Sequence, residues 1–252
     1  NRLNVTFEYY VRTTKNLLYS RPLSLATGFS SYLANIGKLQ NKGYELEIRS
    51  TNIETKDFRW STSLNLGHNA NKILKLDGDL KQVTSGTSIH KVGLPYSTYY
   101  MIEFAGIDPV DGEPMFYKNT TDENGNLNKE TTKDPRSAEK VILQCADPTI
   151  TGGLGNSISY KWFDLGLTFT YSLGGYSFDK TGTLIETDGS QEKSYNLPVY
   201  ALDRWQKPGD ITDVPRFVLE QSAGPQNSSR YIHSTDHIRL KNLTIGFTLP
   251  GQ

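Results

Sequence analysis

The 252-residue sequence contains a single cysteine and no long apolar run. Cys145 has no second cysteine to pair with, so an intrachain disulfide and a thiolate zinc site are both excluded. No apolar stretch approaches the ~18 residues that a membrane-spanning helix needs. These absences exclude helical membrane spans. They leave open a transmembrane β-barrel, whose strands are apolar on one side only.

The sequence also lacks net charge. Lys and Arg together count 27, and Asp and Glu together also count 27. A protein whose main partner is a nucleic-acid backbone normally has an excess of basic residues, because it must neutralise phosphates. We therefore predict no nucleic-acid partner.

Alternation of apolar and polar residues is the strongest pattern present. Between Leu3 and Val11, every odd position is apolar or aromatic, and the even positions other than Tyr10 are polar. A period of two predicts a strand with one apolar face and one wet face. The same pattern predicts five further strands, at about 41–52, 57–71, 152–160, 163–173 and 236–249.

The predicted strands are joined by connections of two lengths. Two are tight turns, at about 52–56 and 161–162, and three are long, at 13–40, 73–151 and 174–235. Outer-membrane barrels have short turns on one side and long loops on the other. The alternative is a soluble carbohydrate-binding β-sandwich, but strands of a sandwich usually recur every 8–12 residues. The pattern favours an all-β, antiparallel transmembrane barrel.

Motifs for metals, cofactors and catalysis are incomplete. His233 and His237 have a helical metal-ligand spacing but lead into a predicted strand. The segment that begins at Asp122 resembles the start of a calcium loop, but Leu127 occupies the position of the required glycine. The glycine-rich segment 151–155 lacks the third glycine of a dinucleotide loop. We predict no catalytic residue, no metal ion and no cofactor.

The candidate ligand-contacting or partner-contacting residues are aromatic and polar side chains in the long connections. Aromatic rings stack on sugar rings or cover apolar surface, and Arg and Asp fix hydrogen-bonding groups. The candidates are Tyr96, Tyr99, Tyr100, Tyr200, Arg204, Trp205, Asp210 and Arg216. Each of them could instead pack the loops against one another. Those between 203 and 216 could form a purely structural network of ion pairs and turns.

Five segments carry a resemblance to a known family. They are NIGKLQNKGYELEI (35–48), VGLP to GIDPVDG (92–112), PTITGGLGN to FDL (148–165), RWQKPGD to DVPR (204–216) and IRLKN to LP (238–250). Their order and spacing resemble the C-terminal half of SusC/RagA-type TonB-dependent outer-membrane transporters. The match extends over nearly the whole chain.

The resemblance implies a barrel of about 22 strands around an N-terminal plug. It also implies a covering SusD-like lipoprotein lid and import of oligosaccharides or peptides with energy passed through TonB. Residues 1–252 would then be a partial barrel domain of about six strands in the Gram-negative outer membrane. The plug that contacts TonB, the early strands and the strands after Pro250 would lie outside it. Open sheet edges are untenable in lipid, so those other strands must close the barrel.

The implied activity is transport, with no bond made or broken. A barrel enzyme such as a lipase or protease would need a Ser/His or Asp/His set, and no motif for one is present. In the barrel, we expect Leu165, Phe169 and Ile245 to face lipid. The alternating positions, such as Asp164 and Thr170, are expected to line a wet lumen.

Overall fold

The computed structural model describes residues 2–16, 18–22, 26, 28–29, 31–35, 37–76, 80–186, 188–190, 196–219 and 227–249. The strands are β1 (Leu3–Lys15), β2 (Leu18–Pro22), β3 (Ser31–Asn35), β4 (Lys38–Glu54), β5 (Phe58–Lys75), β6 (Gln82–Ser85), β7 (Ser88–Lys91), β8 (Thr98–Ile102), β9 (Phe104–Ile107), β10 (Pro114–Tyr117), β11 (Thr131–Thr132), β12 (Lys140–Cys145), β13 (Ile150–Tyr160), β14 (Phe163–Leu173), β15 (Tyr176–Phe178), β16 (Ile232–Ser234) and β17 (His237–Phe247).

In the part of the chain that the structure describes, helix is limited to short pieces in the loops. One α-helix, α1, covers Gly182–Ile185, and 3₁₀ turns cover Pro135–Ser137, Val199–Asp203 and Ser229–Tyr231. No helix in the described ranges has the length and apolar composition to cross a membrane.

Six long strands form one antiparallel sheet in the order β1–β4–β5–β13–β14–β17. Each long strand pairs with the next long strand along the chain, which confirms the six strands predicted from the sequence. The strands β4 and β5 extend beyond the predicted ranges, since their pairing runs on to Lys38 and Lys75. The alternating pattern reverses there, because the paired Leu39 and Ile73 pack into a small core with Leu76 and Val83, whereas Gln40 and Lys72 pair on the other face. Among the described residues the sheet does not close on itself, and β1 and β17 each have one unpaired edge.

The strand register places apolar side chains on one face of the sheet. One row across the six strands contains Val5, Ile48, Leu64, Leu154, Phe169 and Leu240. The next row faces the other side and contains Asn4, Arg49, Ser63, Gly155, Thr168 and Asn242. The apolar face is uncovered, with Ile245 75% exposed. A soluble sandwich would bury this face against a second sheet, and no described residue covers it.

The polar face is recessed. Two open cavities of about 440 and 470 Å³ lie along it, and their side chains include Asn4, Ser63, Thr168, Glu8 and Glu45. A wet, polar recess behind an exposed apolar face matches the wall of a water-filled barrel.

Aromatic residues mark the two edges of the apolar face. Phe58 belongs to a row with Tyr160, Phe163 and Phe247 beside the tight turns. His68 lies ten residues further along β5, in a row with Tyr9 and Tyr44. At about 3.4 Å per residue and a tilt near 40°, the two rows are about 25 Å apart along a barrel axis. This separation equals the height of the apolar band of an outer-membrane barrel.

The long connections are folded rather than irregular. Residues 80–149 contain the sheets β12–β8–β7–β6 and β11–β10–β9, and the connection before β17 contains the β15–β16 pair. Their apolar residues form small cores, one of them made of Ile102, Phe116 and Ala138 with Phe104 against it. Of the described residues, the buried apolar side chains lie mainly in the long connections, whereas the apolar face of the sheet is exposed.

Candidate functional site

All three long connections leave the sheet at the same end. They follow β1, β5 and β14, whereas the tight turns at 55–57 and 161–162 lie at the opposite end. The eight candidate residues all belong to the connections after β5 and β14. The short and long connections thus alternate between the two ends of the sheet, as the sequence predicted.

Trp205 joins the two connections. Its Nε1 donates a hydrogen bond to the backbone oxygen of Pro109 at 3.0 Å. The indole ring lies against Gly112, where an added Cβ would be 2.5 Å from a ring carbon. Gly112 also has φ +76°, a conformation that L side chains rarely adopt. Only glycine therefore fits beneath this ring, and Gly209 adds a backbone hydrogen bond to Pro109 O at 2.8 Å.

Arg216 and Asp210 complete the same contact. The Arg216 backbone N–H donates to Gly112 O at 2.9 Å, and its guanidinium donates to Glu113 Oε1 at 2.6 Å. The Asp210 carboxylate accepts from the backbone N–H groups of Gln206 and Lys207. Three candidates, Trp205, Asp210 and Arg216, thus hold segment 204–216 in shape against turn 108–113. We call this contact the Trp205 lock.

An ion cluster stiffens the other half of the lock. Lys133 Nζ is 2.7 Å from Asp108 Oδ2 and also contacts Asp111. The hydrogen bonds that Lys133 donates to these two carboxylates raise its pKa to about 12. The hydrogen bond from Lys133 lowers the pKa of Asp108 and Asp111 in turn. Sequence reasoning missed Lys133, because it lies more than twenty residues from its partners.

Tyr200 and Arg204 lie at a second contact within the late connection. The Tyr200 hydroxyl donates to the Glu186 carboxylate. Burial, together with that carboxylate, raises the pKa of Tyr200 to about 12. Beside them, the Arg230 guanidinium donates two hydrogen bonds to Asp188, at 2.6 and 3.1 Å. Arg204 lines the narrow crevice between these groups.

The three tyrosines near β8 have different surroundings. The Tyr99 hydroxyl accepts from Phe178 N at 3.0 Å, which ties β8 to β15. Tyr100 is half-buried within β8. The Tyr96 ring stacks on His90 with centroids 4.3 Å apart and remains 43% exposed. Tyr96 and Tyr200, the latter 46% exposed, are therefore the candidate rings most open to a ligand.

Sequence reasoning missed a group of exposed apolar residues on the two segments joined by the Trp205 lock and on the 3₁₀ turn that precedes the second of them. It consists of Val110, Val199, Leu202 and Ile211, of which Ile211 is 97% exposed and Val199 is 84% exposed. Val110 and Ile211 flank the hydrogen bond from Gly209 to Pro109 that joins the two connections. The sequence signal for this group was the presence of apolar residues close to glycine and proline in otherwise polar loops. We call this group the lock patch.

It also missed a polar cluster on the recessed face, at the end from which the long connections leave. The Tyr10 hydroxyl donates to Asn69 Oδ1 at 3.1 Å, and Asn69 Nδ2 donates to Asn41 Oδ1 at 3.3 Å. Asn71 lies beside them, accepts from Tyr96 N at 2.6 Å and donates to Asp147. The signal in the sequence was the alternation of β1. Its apolar face consists of odd-numbered residues, so Tyr10 must lie on the opposite face.

Within the described ranges, no group of three His, Cys, Asp or Glu side chains lies close enough together to hold a metal ion. The turn that begins at Asp122 is closed by its own carboxylate, which accepts from Asn124 N and Asn126 N. That carboxylate therefore serves as an acceptor for the turn's backbone.

Comparisons with known proteins give consistent results. No family model matches the chain. It is 34% identical over 264 residues to TonB-dependent receptor P3 of Formosa agariphila. This alignment covers 99% of the present chain and 26% of the relative. It is 28% identical over 268 residues to TonB-dependent receptor SusC of Bacteroides thetaiotaomicron, covering 98% of this chain and 24% of SusC.

Solved structures agree with these relatives. The RagAB peptide transporter superimposes with a TM-score of 0.83 at 30% identity, covering 99% of this chain and 27% of that one. The same importer in its "open-open" state gives a TM-score of 0.81 at 29% identity. The chain spans about a quarter of the length of the relatives it matches. Over nearly its whole length the chain is thus similar to part of SusC/RagA-type TonB-dependent receptors, and its exposed apolar face and one-sided loops match a fragment of such a β-barrel.

Proposed function

We propose that this chain is part of an outer-membrane importer that takes up oligosaccharides or peptides in a TonB-dependent way. The observation that carries the proposal is the division of the six-stranded sheet into an exposed apolar face and a recessed polar face. A sheet of this kind separates hydrocarbon from water. The relatives named as receptors and transporters support the same activity.

In this proposal the chain carries out no chemical reaction. The rows of apolar residues hold the wall in the outer membrane, and the rows of polar residues on the other face line the path of the ligand. The plug and the segment that contacts TonB belong to the remaining length of the protein. Ligand is captured at the loop end and released past a displaced plug.

We further propose that a SusD-like lipoprotein covers the loop end and docks on the lock patch. Isolated apolar residues are common on protein surfaces, but a group of them beside an ordered loop pair marks an interaction site. The Trp205 lock gives this patch a fixed shape. In this arrangement Tyr96 and Tyr200 lie beneath the lid, where their rings can contact ligand.

Cell fractionation and uptake test the proposal. The complete protein, expressed in its own organism, should be recovered from the outer membrane and should require detergent for solubility. Uptake of labelled oligosaccharide or peptide mixtures should fall to background when either this gene or the gene for TonB is deleted. Recovery of the complete protein in the soluble fraction without detergent would favour the sandwich alternative.

A further inference from the structure

The recessed face carries a hydrogen-bonded cluster at the end of the sheet nearest the long connections. Two adjacent rows of the register build it. The first row contains Tyr10, Gly43 and Asn69, and the second contains Arg12, Asn41 and Asn71. These rows lie above the His68 row that marks the upper edge of the apolar band. The cluster therefore lies at the mouth of the proposed lumen, where a ligand that enters from the loop end would meet it first.

Gly43 determines where the Tyr10 ring lies. An added Cβ at Gly43 would be 2.4 Å from the Tyr10 hydroxyl oxygen and 2.5 Å from the adjacent ring carbon. The ring therefore lies along the wall, over the glycine, rather than projecting into the recess. Its hydroxyl is fixed there by the 3.1 Å hydrogen bond to Asn69. The result is an aromatic ring held at a defined position in the wall.

The amides around this ring retain unused hydrogen-bonding groups. Asn69 uses its oxygen for Tyr10 and one N–H for Asn41 Oδ1. The Nδ2 group of Asn41 and the guanidinium of Arg12 have no hydrogen-bond partner among the described residues. The Tyr10 oxygen also keeps its lone pairs as acceptors. Donors and acceptors are thus interleaved within one small area.

Arg12 is the cation of the two rows, and the Asp147 carboxylate is held by Asn71 beside them. Glu8 and Glu45 form the next row of the same face, so carboxylates outnumber the cation and disfavour an anionic ligand. A fixed aromatic ring and planar amides suit a ring with neighbouring hydroxyl groups, each of which both donates and accepts. One common way to bind an extended peptide is to add it as a strand to an open sheet edge. That way is closed at β4 and β5, which carry Asn41 and Asn69, because both strands are paired on both sides.

We propose that Tyr10, Asn41 and Asn69, with Arg12 beside them, form a subsite for one sugar unit of a neutral oligosaccharide. The inference rests on the proposed import function and specifies its substrate class. In it, Tyr10 covers one face of the sugar ring and the amides bond its hydroxyl groups. Tyr96, whose backbone bonds Asn71, lies on the loop side of the same subsite.

Calorimetry on the complete transporter, purified in detergent with its lipoprotein, tests the subsite. The probes are maltoheptaose, mannohexaose, galactohexaose, xylohexaose and a mixture of short peptides. Wild-type protein should bind at least one of the saccharides. An Asn41→Ala/Asn69→Ala variant should bind it about tenfold or more weakly, because several hydrogen bonds are lost together. Tyr10→Phe, which keeps the ring and removes the hydroxyl, should weaken binding less.

Asn124→Ala is the matched control. Asn124 lies in the exposed turn 122–126, outside the recessed face, and alanine keeps its backbone N–H bond to Asp122, so the change should leave the affinity unaltered. Retention of wild-type affinity in the double variant would overturn the subsite, and so would binding of peptides with no saccharide bound. Because binding is measured on purified protein, either result leaves the TonB-dependent uptake experiment to decide the proposed function separately.

Discussion

Tyr171 of β14 lies across Gly152 of β13 and donates its hydroxyl hydrogen bond to the backbone oxygen of Asn65 in β5, at 3.0 Å. One side chain thereby spans three neighbouring strands on the apolar face. An unpaired hydroxyl is costly in hydrocarbon. Because Gly152 has no side chain, the Tyr171 ring can lie across it and its hydroxyl can reach Asn65 O.

Replacing Gly152 with alanine should destabilise the sheet. The new Cβ would lie 2.2 Å from Asn65 O and 2.4 Å from the Tyr171 hydroxyl oxygen. Backbone shifts of this kind cost about 1–3 kcal/mol. Urea unfolding of the complete barrel in lipid vesicles measures the loss. Gly67→Ala is the control, because its Cβ would be 3.7 Å from the nearest atom, Thr151 Oγ1. An equal loss at both positions would argue against the Tyr171 contact.

Arginine substitutions at two adjacent residues should separate the two faces of β14. Phe169 belongs to the apolar row with Leu154 and Leu240, about midway between the two aromatic rows, whereas Thr170 faces the recess. Phe169→Arg should cost about 2–4 kcal/mol in a folding assay in lipid, and Thr170→Arg should cost much less. Similar costs at both positions would contradict the assignment of the faces.

Trp205→Ala should release segment 204–216 without unfolding the sheet. The change removes the hydrogen bond to Pro109 and the ring that covers Gly112. Loss of one hydrogen bond accounts for about 1 kcal/mol, and the lost packing adds to it. Hydrogen exchange and limited proteolysis of this segment measure the opening. Trp205→Phe, which retains a ring, should open it less. A loss of ligand affinity with unchanged exchange would show instead that Trp205 contacts ligand directly.

Tyr200 should ionise late as the pH is raised. Its pKa is raised to about 12 in the folded protein, first by burial and then by Glu186. Because this lies above the ordinary value near 10, the neutral phenol stabilises the fold fully below about pH 10, and that contribution is lost as the pH rises towards 12. Glu186→Gln should bring the ionisation to lower pH. Ultraviolet titration against Tyr200→Phe isolates this residue, and identical titrations of wild type and Glu186→Gln would rule out the contact.

A charge in the lock patch should weaken lid binding. Ile211 is 97% exposed, so Ile211→Asp should leave folding intact while placing an unpaired carboxylate in the proposed interface. We expect co-purification of the lipoprotein to fall by about tenfold or more. Leu127→Asp is the control, since Leu127 is exposed on a different loop, near the Asp122 turn. If the Ile211 variant co-purifies with the lipoprotein as well as wild type does, the lock patch is not part of the interface.

The long strands could be predicted from the sequence because each has one wet face over ten or more residues. The alternation from Leu3 to Val11, for example, needs no knowledge of distant residues. The strands of the loops could not be predicted, since they have only two to six residues. The sequence of β8, Thr98–Ile102, also has no wet face, because it is covered on both sides by loop residues.

Candidate loop residues could be named from the sequence, but their contacts within the protein could not be predicted. Trp205 and its partner Pro109 are 96 residues apart, so neither composition nor spacing could pair them. The Tyr10–Asn69 hydrogen bond also depends on a register that joins β1 to β5 through β4. Such contacts arise from the folded chain, whether between loops or between strands, and not from any local segment.

The two outer strands determine how these residues would behave if they were produced by themselves. β1 and β17 each present a row of unpaired backbone donors and acceptors beside the exposed apolar face of the sheet. Two copies could join edge to edge, and further copies could add without limit, because nothing in the described residues caps either side. Insoluble ribbons are thus the expected product of isolated expression, and only strands supplied by the remaining polypeptide would convert this sheet into a closed, discrete particle.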